Sequence, residues 1–120
     1  MDALSKTEFL APASGNIVDI ANPDPETITL TDVVKGLSGT NRYAGQTNPV
    51  INVAQHSILV SDIVEMLGSP KEPVIESQIH GLLHDAPEAY TGDPPAPVKS
   101  TYGQLDQIYD DIHDKFMEAV

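Results

Sequence analysis

A chain of 120 residues has the length of one domain, 1–120, and a core modest enough that oligomerisation is a common source of added stability; a homo-oligomer is the expected assembly. The absence of cysteine excludes a disulfide framework and a thiolate zinc site, and suits a reducing cytoplasm. With 18 acidic residues against 6 basic ones the net charge is −12, which excludes a surface that tracks a nucleic-acid backbone. The same charge repels an anionic substrate unless a bound divalent cation reverses the field locally.

Along the chain, residues 1–10 have neither a basic start nor a long apolar stretch, so no signal peptide is expected. No apolar run approaches the ~20 residues of a membrane-spanning helix, and the expectation is a soluble, cytoplasmic protein without a membrane partner. The first 30 residues are rich in Pro, Asn, Ser and Gly and hold two short apolar runs, 17–20 and 28–30, separated by the turn chemistry of Asn22-Pro23-Asp24-Pro25. Short extended segments or a small hairpin fit there.

Regular helix signals begin at Thr31, read as an N-cap with Asp32 in the first turn and Val33, Val34 and Leu37 on the apolar side. Gly36 and Gly39 predict a short helix, and residues 40–50 read as loop. A second helix is predicted from Val53 to Leu67, where Val53, His56, Val60, Ile63, Val64 and Leu67 recur at three- and four-residue spacing, and Gly68-Ser69-Pro70 ends it. The third runs from about Pro73 to Tyr90 on Val74, Ile75, Ile79, Leu82 and Leu83, with Pro87 disturbing its last turn. A rigid proline-rich loop covers 91–97. The fourth helix spans about Tyr102 to Ala119, with Leu105, Ile108, Tyr109, Ile112 and Phe116 inward. The fold class is therefore all-α: a small bundle of neighbouring antiparallel helices with an irregular or hairpin N-terminal segment.

Chemistry concentrates at His84-Asp85-Ala86-Pro87-Glu88. On a continuous helix His84 and Glu88 share a face, with Asp85 beside them. An imidazole and a carboxylate from one turn suit one divalent cation, and a second carboxylate is left for proton work. Read alone, this is more simply a capped helix end with surface carboxylates, and His56 alone is more simply a core histidine on an apolar face. Two antiparallel helices that each present an inward histidine make a shared metal site the more economical reading.

The pattern Arg42-Tyr43, Val53-Ala54-Gln55-His56-Ser57, Leu83-His84-Asp85-Ala86-Pro87-Glu88 and Thr91-Gly92-Asp93-Pro94-Pro95-Ala96-Pro97-Val98-Lys99 resembles the HD-domain nucleotide phosphohydrolases. Within that superfamily it is similar to bacterial 5′-deoxynucleotidases and bacteriophage deoxyadenosine triphosphohydrolases; residues 14–25 resemble the phage branch, and the likeness covers about 14–118. The resemblance implies that His56, His84 and Asp85 are metal ligands and that Glu88 and Asp93 position or activate the attacking water. It implies that Arg42 and Lys99 lie near the substrate phosphate. The cofactor is then a divalent metal (Zn, Co, Mn or Mg), and the partner a small-molecule nucleotide. His80, one turn before His84, is read as supporting the ligands from behind or lining the substrate, and His113 as surface.

The family's fourth ligand is an aspartate on a helix well downstream of the His-Asp pair, whereas 35 residues follow Asp85 here, so that ligand is expected to be missing. A truncated site, a carboxylate from the fourth helix and one from a neighbouring subunit are the competing explanations. The stripe Asp106, Asp110 and Asp114 is read as a solvated face. The leading expectation is hydrolysis of a deoxynucleoside triphosphate such as dATP. The alternatives are a 5′-deoxynucleotidase acting on monophosphates, a catalytically inactive nucleotide-binding module, and an acidic protein-interaction module.

Overall fold

The computed structural model describes residues 8–68 and 74–120. The predicted helix stop at Ser69-Pro70, the predicted start at Pro73 and the first seven residues lie outside the described residues.

The fold is mostly helical with a small N-terminal hairpin. Strands β1 (Phe9–Leu10) and β2 (Val18–Asp19) pair antiparallel, Leu10 opposite Val18 and Phe9 opposite Asp19. The apolar run at 17–20 thus supplies a strand, while the run at 28–30 instead enters helix α1 (Leu30–Gly39). The N-cap of α1 is Thr29 and not Thr31. Thr29 is extended, and its Oγ1 accepts the amide of Asp32 three residues on, the spacing that satisfies an otherwise orphaned helical donor. Asp32, buried, in turn accepts the Ser14 amide (2.9 Å) and hydroxyl (2.6 Å), which ties the N-terminal segment to α1.

Helix α2 (Val53–Leu67) begins at a capping box, with Asn52 Oδ1 accepting the Gln55 amide and Gln55 Oε1 accepting the Asn52 amide. It ends at Gly68, whose φ of 68° is left-handed. Before it, Arg42–Gly45 form a 3-10 turn inside the expected loop, with two consecutive non-glycine residues, Tyr43 and Ala44, at φ 54°. Arg42 donates its amide to Ile51 and Val53 donates to Thr40, so the loop is pinched at its base.

The third predicted helix is broken. Helix α3 (Val74–Leu83) stops before His84, residues 84–87 form a turn, and a short helix α4 (Glu88–Thr91) follows. Pro87 has no N–H to give the Leu83 carbonyl, so the Ala86 amide takes it in a tighter i→i+3 bond (3.0 Å). His84 and Glu88 therefore do not share one helix face. Helix α5 (Ala96–Ser100) starts inside the stretch read as loop, with Pro97 in the first turn, where a missing N–H costs nothing. Helix α6 (Gly103–Ala119) matches its prediction, with Tyr102 as N-cap.

The core gathers Val18, Val33, Leu37, Val53, Ala86, Tyr90 and Phe116, with Phe116 stacked on Tyr90 at 5.0 Å between ring centroids. It draws on the hairpin, α1, the start of α2, the 84–90 segment and the end of α6. Several side chains expected inward are not covered. Ile63, Val74, Ile75, Ile79 and Leu82 are exposed, and Leu67 is 81% exposed. Helices α2 and α3 pack closely on each other, but the core reaches only one end of that pair, and the helical period alone cannot say how far along a helix its neighbours extend.

Candidate metal centre

The break at Pro87 sets the geometry of the site. His84 and Asp85 project from a turn, and His56 projects from the first turns of α2 across from them. Two imidazoles meet one carboxylate oxygen: Asp85 Oδ2 lies 3.0 Å from His84 Nε2 and 3.4 Å from His56 Nε2. The two rings are 5.5 Å apart between centroids. One donor atom from each residue lies within 4.8 Å of the others, the one such group among the described residues.

These residues fit a divalent cation. Zn–N and Zn–O bonds near 2.1 Å set tetrahedral ligand atoms ~3.4 Å apart, close to the spacings found. The His84 Nδ1 faces the Gly81 carbonyl at 2.5 Å. A carbonyl can only accept, so Nδ1 carries a proton, which makes Nε2 the ring nitrogen that would ligate a cation at the centre. Burial and then the charge of Arg42 push the His56 pKa down, keeping its imidazole neutral, the form that binds metal.

Beside this group stand the other charged residues singled out above. Arg42 Nη1 lies 3.5 Å from Asp93 Oδ2, while the guanidinium sits over the Tyr43 ring at 5.0 Å and donates Nη2–H to the Tyr43 hydroxyl at 3.4 Å. The hydrogen bond to Tyr43 is the main cause of a raised Arg42 pKa. Glu88, at the start of α4, has its carboxyl pushed up to about 9, first by burial and then by sharing its proton with Asp93 and Asp85. Its Oε2 is buried without a hydrogen-bond partner. A cation held by Asp85 would offset part of that rise.

The structure thus brings together His56, His84, Asp85, Glu88, Asp93 and Arg42. His80, exposed on α3, and Lys99, half-buried on α5, do not belong to the three-donor group. Of the acidic stripe, Asp110 and Asp114 are exposed and Asp106 is half-buried.

Two residues near the centre were not singled out for it by sequence reasoning. Tyr43 holds Arg42 from a strained backbone. His113, read above as surface, instead lies with its Nε2 3.0 Å from the His84 carbonyl oxygen and its side chain 39% exposed. The available signal was its place on α6 between Ile112 and Phe116, at the edge of the inward face.

Comparison with known proteins follows the same lines. The chain is 36% identical over 111 residues to an uncharacterized protein of Rhodobacter capsulatus, covering 89% of this chain and 53% of that one. It is 35% identical over 91 residues to the uncharacterized protein YfdR of Escherichia coli, covering 76% of this chain and 46% of the relative. The chain therefore spans about half the length of the curated relatives it matches. The model of the YfbR-like 5′-deoxynucleotidases, a family within the HD-domain superfamily, matches residues 30–120, from the start of α1 through both histidine-bearing segments to the end of α6. By that match, the chain belongs to the YfbR-like 5′-deoxynucleotidase family.

Proposed function

We propose that the chain is a metal-dependent 5′-deoxynucleotidase that releases phosphate from deoxynucleoside monophosphates. The family's description supports this alternative over the triphosphohydrolase reading that led in the sequence analysis. The observation that carries it is the convergence of His56 Nε2 and His84 Nε2 on one oxygen of Asp85, beside a proton-bearing Glu88 and a guanidinium.

In this reading His56, His84 and Asp85 hold the cation. When bound, a divalent metal polarises a phosphoryl oxygen and lowers the pKa of its water, and three protein ligands with an open position suit that chemistry. Arg42, always charged, forks onto the phosphate oxygens and neutralises them, after exchanging its contacts with Asp93 and Tyr43 for the substrate. Glu88, its carboxyl pushed up to about 9 first by burial and then by the neighbouring Asp93 and Asp85, keeps its proton, with Asp93 as the other carboxylate of the pair. That proton can pass to the departing 5′-oxygen while the other carboxylate receives one from water. His80 and Lys99 belong to the outer lining in this proposal.

The test measures inorganic phosphate released from each deoxynucleoside monophosphate, and triphosphate released from each deoxynucleoside triphosphate, with Co²⁺, Mn²⁺, Mg²⁺ or Zn²⁺. Phosphate release from monophosphates is expected, with a loss of at least ~100-fold in Asp85→Asn, since a ligand to a metal that activates water is lost. Triphosphate release without monophosphate turnover would reverse the substrate assignment. Calorimetric titration without saturable divalent binding would remove the metal role of His56, His84 and Asp85.

A further inference from the structure

The turn that carries His84 and Asp85 is held by a side chain from a helix 29 residues away. In an unbroken helix the Glu88 amide would bond the His84 carbonyl; here it bonds the Asp85 carbonyl at 2.9 Å, and the His84 carbonyl is left without that partner. His113 on α6 fills the gap, its Nε2 at 3.0 Å from the same oxygen. Because a carbonyl only accepts, Nε2 bears the proton, and it donates in either charge state of the ring.

We propose that His113 is a positioning residue for the metal centre, fixing the backbone of His84 through this hydrogen bond. The inference rests on the reading of His84 as a metal ligand. His84 is then fixed twice: its ring by Nδ1–H to the Gly81 carbonyl, its backbone by His113. Both restraints act on the residue whose Nε2 lies 3.0 Å from Asp85 Oδ2. The same face of α6 grips the segment a second time, one turn on, where Phe116 stacks on Tyr90 at 5.0 Å. Helix α6 therefore serves as a brace for a turn that lacks helical restraint, and His113 is the polar end of that brace.

The experiment titrates Co²⁺ into the metal-free full chain, reading affinity by calorimetry and ligand geometry by the visible absorption of the bound ion. His113→Leu removes the donor at similar volume, and His113→Gln returns an N–H at the reach of Nε2. Loss of an outer hydrogen bond to a ligand typically costs 10–100-fold in metal affinity, so His113→Leu is expected to weaken Co²⁺ at least ~10-fold and to alter the absorption band. His113→Gln is expected to recover most of both. A core variant, Val33→Ala, serves as control: it lowers thermal stability while leaving Co²⁺ affinity and spectrum unchanged below its melting point. Unaltered affinity and spectrum in His113→Leu would overturn the inference, as would a His113→Gln that behaves like His113→Leu. An unaltered chain that fails to bind Co²⁺ would overturn the metal reading itself, and this inference with it.

Discussion

Asp32 and Glu88, two carboxyl groups shielded from water, are pushed in opposite directions, and each shift fixes a pH dependence. The Ser14 hydroxyl, then against burial the Ser14 amide and the Thr29 hydroxyl, hold Asp32 below its ordinary 3.8. A depressed carboxylate stabilises the fold above its unfolded pKa and loses that contribution as pH falls through the folded value. Ser14→Ala is therefore expected to melt below the unaltered chain at pH 7, with the gap narrowing below pH ~4; a gap that persists unchanged into acid would contradict this. Glu88 has the reverse sign. Its carboxyl, raised from 4.5 to about 9, favours the fold fully below its ordinary pKa and loses that favour as pH rises. In chelator, the melting temperature of the metal-free chain should fall from mildly acidic pH toward 9, and Glu88→Gln should flatten that slope. The proximity of His56 to His84 and Asp85 was legible at this scale from the His-Asp pair and the expected antiparallel pairing of its helix with α2, although the pair sits in the turn after α3 and not on a helix face. The contact of His113 was not, because the carbonyl it meets loses its partner only through a break in the backbone.

At the level of elements, the sequence carried α2 and α6 almost to the residue, since each has a long apolar period and clear ends. It overran α3: the predicted helix continued to Tyr90 with Pro87 disturbing only the last turn, whereas the backbone donor missing at Pro87 goes with an end already at Leu83. The hairpin partner of β2 was equally hidden, because the two-residue strand at Phe9–Leu10 carries too little alternation to read. The two helical glycines at close contacts separate packing from propensity. A Cβ on Gly36 would stand 2.5 Å from the Ala89 carbonyl oxygen and 2.7 Å from its Cα, so α1 and α4 could not keep their approach. Gly36→Ala is expected to cost about 1–3 kcal/mol in chemical denaturation, the range of overpacked sites. A Cβ on Gly81 meets Val60 Cγ1 at 3.2 Å and Val64 Cγ2 at 3.5 Å, contacts that ask for only a few tenths of an ångström of adjustment. There the gain of about 1 kcal/mol in helix propensity offsets the crowding, and Gly81→Ala should lie near neutral. Equal costs at the two positions would refute this account of how α1 reaches α4.

For the whole molecule, the net charge of −12 acts on the two species that the proposed reaction must assemble, and with opposite signs. A divalent cation is drawn in by the acidic surface, while a nucleotide phosphate is held off until it nears the cation and Arg42. Salt separates the two effects, since the screening length shrinks from ~30 Å at 0.01 M to ~8 Å at 0.15 M. Over that span the field of distant surface carboxylates is lost, whereas Arg42, half-buried and 3.5 Å from Asp93, keeps most of its local influence. Raising sodium chloride should therefore weaken Co²⁺ binding to the metal-free chain. With metal saturating, the same change should lower KM for a deoxynucleoside monophosphate and leave kcat nearly unchanged. The usual nucleic-acid-binding pattern, in which salt steadily weakens capture of the phosphate, would show instead that a local cluster of positive charge governs approach. In that case the acidic exterior would have no part in selecting what reaches His56, His84 and Asp85.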